Sequence, residues 1–147
     1  FLDENGDMQT VSRSEHDFSY RHSVFSAGGK FILSAKMSLS PKNPDEILAS
    51  MRDLNARRKE KQPLEKPSAG STFKRPEGFF AAKLIEDAGL KGAGVGGAGV
   101  SEKHAGFIVN NGGATCEDVV RLIAKVQETV FSKFGVTLEP EVKVIGR

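Results

Sequence analysis

The sequence predicts a globular chain of mixed helices and strands, and three observations carry that expectation. Phe31, Leu33, Ala35, Met37 and Leu39 alternate with Ile32, Ser34, Lys36 and Ser38, the period of a half-buried strand. Val119, Val120, Ile123, Val126, Val130, Phe131 and Phe134 recur instead at helical spacing. A length of 147 residues is enough to bury a core without disulfide or metal staples.

Residues 1–40 read as β structure, with an Asn5-Gly6 hairpin turn and a short aromatic segment at 18–25. Asp3, Asn5 and Asp7 suggest a calcium loop, but Met8 holds its glycine position, the glycine falls too early, at Gly6, and no glutamate closes it. The chain begins at Phe1 rather than Met, so a fragment of a longer protein is expected. A helix follows the 41–44 linker: Asn43 suits its cap, Pro44 its first turn, Asp45 and Glu46 its positive end. Ile47, Leu48, Met51 and Leu54 form its apolar stripe. Its far end is basic, through Arg52, Arg57, Arg58, Lys59, Lys61 and Lys66, either as a solvated helix end or to steer a phosphorylated ligand.

Residues 67–76, PSAGSTFKRP, hold two serines, a glycine and two cations between prolines. Such a backbone cannot be a continuous helix, and it fixes Ser71 beside Lys74 and Arg75, as a reactive hydroxyl is presented. Ser71 and Lys74 also spell S-x-x-K, but the Lys-Thr-Gly partner motif of acyl-enzyme chemistry does not occur.

Phe80, Ala81, Leu84, Ile85 and Ala88 mark a short helix closed by Gly89. Gly92, Gly94 and Gly97 spell G-x-G-x-x-G, which has its phosphate-binding meaning only between a strand and a helix. Here a helix precedes and a strand at 107–110 follows, so a dinucleotide fold is not expected. Thr115 and Asp118 form a capping box for the long helix, Cys116 in its first turn reads as structural, and Gly135 ends it. Residues 136–145 complete the pattern as a strand with Val136, Leu138, Val142 and Val144 on one face and Glu139 and Glu141 on the other. Pro140 between those acids marks an edge or a bulge.

Composition excludes several function classes. A net charge of +2 and a pI near 8.7 are too mild for nucleic acid, and the basic residues are not interleaved with aromatics. No apolar run approaches the roughly 20 residues that cross a bilayer. The single cysteine fits a reducing compartment, so a cytoplasmic location is expected, with no metal site.

Across these segments the sequence resembles the UDP-N-acetylenolpyruvoylglucosamine reductases. The strings YRHSVF (20–25), QPL (62–64) with PSAGSTFKRP (67–76), KLIEDAGLKG (83–92), VSEKHAGFIVN (100–110) and LEPEVKVIG (138–146) follow that family's order and spacing. The resemblance implies a cytoplasmic flavoenzyme of peptidoglycan synthesis, in which NADPH reduces FAD and the flavin reduces UDP-N-acetylenolpyruvoylglucosamine to UDP-N-acetylmuramate. It implies an α+β fold: 1–40 would be the end of an FAD-binding domain, incomplete because its N-terminal region is missing, and 41–147 the C-terminal substrate-binding domain. By the same resemblance Ser71 matches the proton donor, Glu141 the glutamate that assists the intermediate, and Arg21 the arginine of the Tyr-Arg motif. Tyr20, Lys74, Arg75, Lys103 and His104 are implied as substrate-binding, and Arg21 and Ser23 as cofactor-binding. The three catalytic groups are expected to meet around the reducible double bond.

The sequence departs from the family in two places. Arg75 stands where many relatives have asparagine. Tyr20 is the only tyrosine, so the chain resembles the shorter branch, which lacks a substrate-covering tyrosine loop. A rival reading from a different class is a non-catalytic nucleotide-sugar-binding domain.

Overall fold

The computed structural model describes residues 1–146. It comprises two compact units, Phe1–Asn43 and the residues from Pro44 onward.

In the first unit Leu2 bridges both Met8 and Phe31. The turn between Leu2 and Met8 is held by the Asp3 carboxylate, which accepts the Asn5 and Asp7 amides at 3.0 Å each, with Gly6 at φ +85°. These bonds, the Asp7 amide foremost, hold the Asp3 carboxyl below its ordinary pKa. The acids of the calcium-like string therefore serve a hairpin turn. A single 3₁₀ turn follows at Arg13–Glu15, and the 18–25 segment holds only the Ser19–His22 bridge. The strand expected at 31–39 is not formed beyond the Phe31 bridge; Leu33, Met37 and Leu39 are exposed. Alternation makes a strand only where a neighbour completes its ladder, and no described residue does so here.

The second unit opens with α1, Pro44–Lys61. Pro44 stands first and acids fill the first turn as expected, but none of the helix is buried, and Ile47, Leu48, Met51 and Leu54 all face solvent. The rest is α+β. Strands β1 (Ser68–Ser71), β2 (Gly94–Val95), β3 (Ala98–Val100) and β4 (Phe107–Asn110) form an antiparallel sheet in the order β1-β4-β3-β2. Helices α2 (Ala81–Asp87) and α3 (Cys116–Phe134) join it in one core of Leu84, Ile85, Val100, Ile108, Leu122, Val126 and Val130. Lys133 of α3 donates to the Ala88 carbonyl at the end of α2, at 2.7 Å.

The ends of α3 follow the sequence closely. The Thr115 hydroxyl accepts the Asp118 amide at 3.1 Å and Asp118 accepts the Thr115 amide at 2.9 Å. Gly135, at φ +68°, takes the left-handed cap and returns its amide to the Phe131 carbonyl at 2.8 Å.

Residues 136–145 do not form the expected strand; the segment makes one bridge, between Phe73 and Pro140. Proline has no amide to extend the ladder. The segment is anchored otherwise, by fully buried Leu138 and by Gln127 of α3, which donates to the Leu138 carbonyl at 2.8 Å. Burying one leucine contributes about 1.5–3 kcal/mol.

Candidate functional site

The stretch read as a loop around Ser71 is the edge strand β1. Its small residues hid it, and so did its irregularity. Ser68 pairs with Val109 and Ser71 with Phe107, a step of three residues on β1 against two on β4, so one residue is bulged. Gly70, at φ +85°, supplies the backbone conformation that this requires. Bulges re-aim side chains, and Ser71 stands exposed on a cleft of about 510 Å³ shared with Arg58, Gln62, Lys66 and Phe107.

Thr72, the next residue, is buried at 3% exposure and bonded on both edges. Its amide donates to the Gly106 carbonyl at 2.8 Å, and its hydroxyl accepts the Ile108 amide at 3.1 Å. Its carbonyl accepts the Glu141 amide at 2.8 Å. The main chain of Glu141 is thus bonded to the residue after Ser71, although the two lie far apart in sequence and Glu141 is not among the residues lining the Ser71 cleft. Glu141 itself is half-buried.

Lys74 and Arg75, which follow Ser71 closely in sequence, both bond to other groups. Lys74 pairs with the Glu139 carboxylate, and its amide donates to the Glu139 carbonyl at 2.8 Å. The Arg75 guanidinium lies 3.9 Å from the Phe80 ring centroid and donates to the Phe79 carbonyl at 3.3 Å. Arg58 and Lys66 take their place in the Ser71 cleft, from the basic end of α1 and the segment after it. Lys66 also donates to Asn111 at 2.6 Å.

Lys103 and His104 lie on the turn before β4. Lys103 donates to the Lys59 carbonyl at 2.7 Å and lies 3.7 Å from Glu65. His104 Nδ1 accepts the Gly106 amide at 3.1 Å, and its ring meets Phe107 edge-on at 4.9 Å.

Tyr20, Arg21 and Ser23 belong to the first unit. Arg21 adopts φ +55°, a left-handed conformation that costs a non-glycine residue about 1–3 kcal/mol and that clusters at functional sites. Its guanidinium lies 5.4 Å from the Tyr20 ring centroid. Ser23 accepts the Phe25 amide at 3.3 Å.

The glycine run is a tight hairpin, β2 to β3, turning at Gly96 and Gly97, and sequence reading missed it. The Gly-Gly pair between Val95 and Ala98 is its signal. A Cβ on Gly97 would lie 2.5 Å from the Gly112 carbonyl oxygen and from the Ala114 nitrogen, and one on Gly96 would lie 2.3 Å from Asp118. The protein itself fills the space that a phosphate would need, so these residues do not fit a dinucleotide. Of the two residues implied for the flavin, Arg21 is exposed and Ser23 is partly buried, so both present polar groups that a cofactor could reach. Among the described residues no cluster of His, Cys, Asp or Glu is placed to hold a metal ion, and no helix is long and apolar enough to cross a membrane.

The antiparallel sheet, its two backing helices and the exposed serine joined by one residue to a half-buried glutamate define an α+β domain with a polar cleft at its sheet edge. Residues 62–145 match the family described as UDP-N-acetylenolpyruvoylglucosamine reductase, C-terminal domain, and the chain belongs to that family. It is 61% identical to a UDP-N-acetylenolpyruvoylglucosamine reductase of Agathobacter rectalis, over 99% of this chain and 46% of that protein. The corresponding reductase of Caldanaerobacter subterraneus is 56% identical, over 99% of this chain and 48% of that protein. Among solved structures, a UDP-N-acetylenolpyruvylglucosamine reductase from Thermus caldophilus matches with a TM-score of 0.81 and 37% identity, over 95% of this chain and 49% of that one. The chain therefore spans about half the length of the relatives it matches.

Proposed function

We propose that this chain is the substrate-binding and proton-donating part of an NADPH-dependent, FAD-containing reductase that converts UDP-N-acetylenolpyruvoylglucosamine to UDP-N-acetylmuramate for the bacterial cell wall, in the cytoplasm. The observation that carries the reading is the Thr72–Glu141 hydrogen bond, which sets the glutamate one residue from Ser71. In this reading residues 1–40 are the end of an FAD-binding domain and 41–147 the substrate-binding domain, with the flavin site largely outside this chain.

A flavin held by Arg21 and Ser23 together with the rest of the reductase, once reduced by NADPH, would supply a hydride to the enolpyruvyl double bond. As that C–H bond forms, the double-bond pair moves onto the carbon beside the carboxylate and spreads into it as an enolate. Arg21 has the planar guanidinium suited to that carboxylate. Ser71 then delivers its hydroxyl proton to the carbon, closing the second C–H bond, and recovers a proton from water. Glu141 assists at the enolate stage. Arg58 and Lys66, which line the Ser71 cleft, suit the diphosphate of the UDP sugar.

The test is Ser71→Ala in the reductase that contains this chain. NADPH should bleach the flavin at the unaltered rate, while reoxidation by UDP-N-acetylenolpyruvoylglucosamine slows by roughly 10²–10⁴. Reoxidation at the normal rate removes Ser71 as the donor.

A further inference from the structure

We infer that Thr72 is the positioning residue that fixes the Ser71 hydroxyl with respect to Glu141, an inference that rests on the roles given to those two residues above. The bulge lies between Ser68 and Ser71, so the direction of Ser71 rests on its pair with Phe107 and on what holds the residue after it. Thr72 sets it from the next position. Its hydroxyl enters the ladder as acceptor for the Ile108 amide, 3.1 Å away, while its amide holds the Gly106 carbonyl at 2.8 Å. The same residue presents its carbonyl to the Glu141 amide on the opposite edge, at 2.8 Å. β4, the serine and the glutamate segment are thereby locked to one buried residue.

The chemistry requires a threonine or a serine at this place. A buried amide needs an acceptor, and only a short hydroxyl side chain reaches back to the neighbouring strand without displacing the main chain. Valine has the same shape but accepts nothing, so the Ile108 amide must find another partner and the bulge shifts. A displacement of about 1 Å at a proton donor costs on the order of 100-fold in rate. Thr72 touches neither the substrate nor a cofactor in this account and acts only through Ser71 and Glu141.

The experiment compares Thr72→Val, Thr72→Ser and Ser71→Ala in the whole reductase. Thr72→Val should leave flavin reduction by NADPH within twofold, slow reoxidation by the enolpyruvyl substrate roughly 10- to 100-fold and raise the solvent deuterium isotope effect on that step. Thr72→Ser should restore the rate to within about threefold. Independently of turnover, hydrogen exchange at the Ile108 and Glu141 amides should quicken in Thr72→Val and not in Thr72→Ser. If Thr72→Val does not fold, Thr72→Ala is read by the same measurements. Normal reoxidation in Thr72→Val with slow reoxidation in Ser71→Ala overturns the positioning role alone. Normal reoxidation in Ser71→Ala overturns the donor assignment and the positioning role with it. Equal slowing of both half-reactions, or no rescue by serine, shows general damage and also overturns it.

Discussion

Lys74 and Glu139 are joined twice, by main chain and by side chain: the Lys74 amide donates to the Glu139 carbonyl at 2.8 Å, and the ammonium pairs with the Glu139 carboxylate. The two acids of the LEPE string are thereby separated in role. Glu139 clips the C-terminal segment to the strand extension, and Glu141 follows the main-chain bond to Thr72. Because the Glu139 side chain is 68% exposed, Glu139→Gln should cost only about 0.2–1 kcal/mol, less at high salt, by denaturant melts at two ionic strengths. In the reductase, Glu141→Gln should slow flavin reoxidation by about 10²-fold or more, and Glu139→Gln by less than about threefold. The reverse order would reassign the acid.

Arg58 and Lys66 share the Ser71 cleft. Replacing either with alanine should weaken binding of the UDP sugar by about tenfold, with a shallower salt dependence, read by calorimetric titration. Unchanged affinity in both variants places the diphosphate elsewhere.

Gly97 is fixed by space rather than by ligand. Its Cβ would collide with the main chain at Gly112 and Ala114, so Gly97→Ala should destabilise the chain by about 1–3 kcal/mol in a thermal melt. A neutral effect would mean that the hairpin and the turn before α3 separate easily.

Asp118 carries the pH prediction. Hydrogen bonds from Thr115, amide first and hydroxyl second, hold its carboxyl below the ordinary value. A depressed carboxyl stabilises the fold in full above its unfolded pKa and loses that contribution as pH falls through the folded one. Asp118→Asn should therefore flatten the acid limb of the stability curve below about pH 4 and leave its slope at neutral pH unchanged. An identical acid limb would remove the cap as its cause.

What the sequence disclosed depended on whether the signal was local. The cap at Thr115, the stop at Gly135 and the burial of Val126 and Val130 were legible because capping and helical period are decided within a few residues. Strand β4 was legible as an apolar run. Strand β1 was not, since Ser68–Ser71 has no apolar alternation and its pairing is fixed by β4, far along the chain. Residues 31–39 and 136–145 had the alternation but not the ladder, because period marks a face and only a neighbour makes a strand. Within the site, the pairing of the Lys74 ammonium with Glu139 was not legible, because the two lie 65 residues apart. The run that holds Arg58 and Lys66 was open to two readings, a solvated helix end or the steering of a phosphorylated ligand, because nothing in a charge run tells which cleft it borders. Thr72 carried no signal beyond being a hydroxyl beside Ser71.

The bond from Glu141 to Thr72 also sets an order of events for a chain being made. Synthesis delivers the serine before β4 and the long helix, and Glu141 only after that helix is complete. Until then the Thr72 carbonyl lacks the amide that it accepts in the folded chain. A chain halted before Leu138 would lack both that buried side chain and the bond to Thr72.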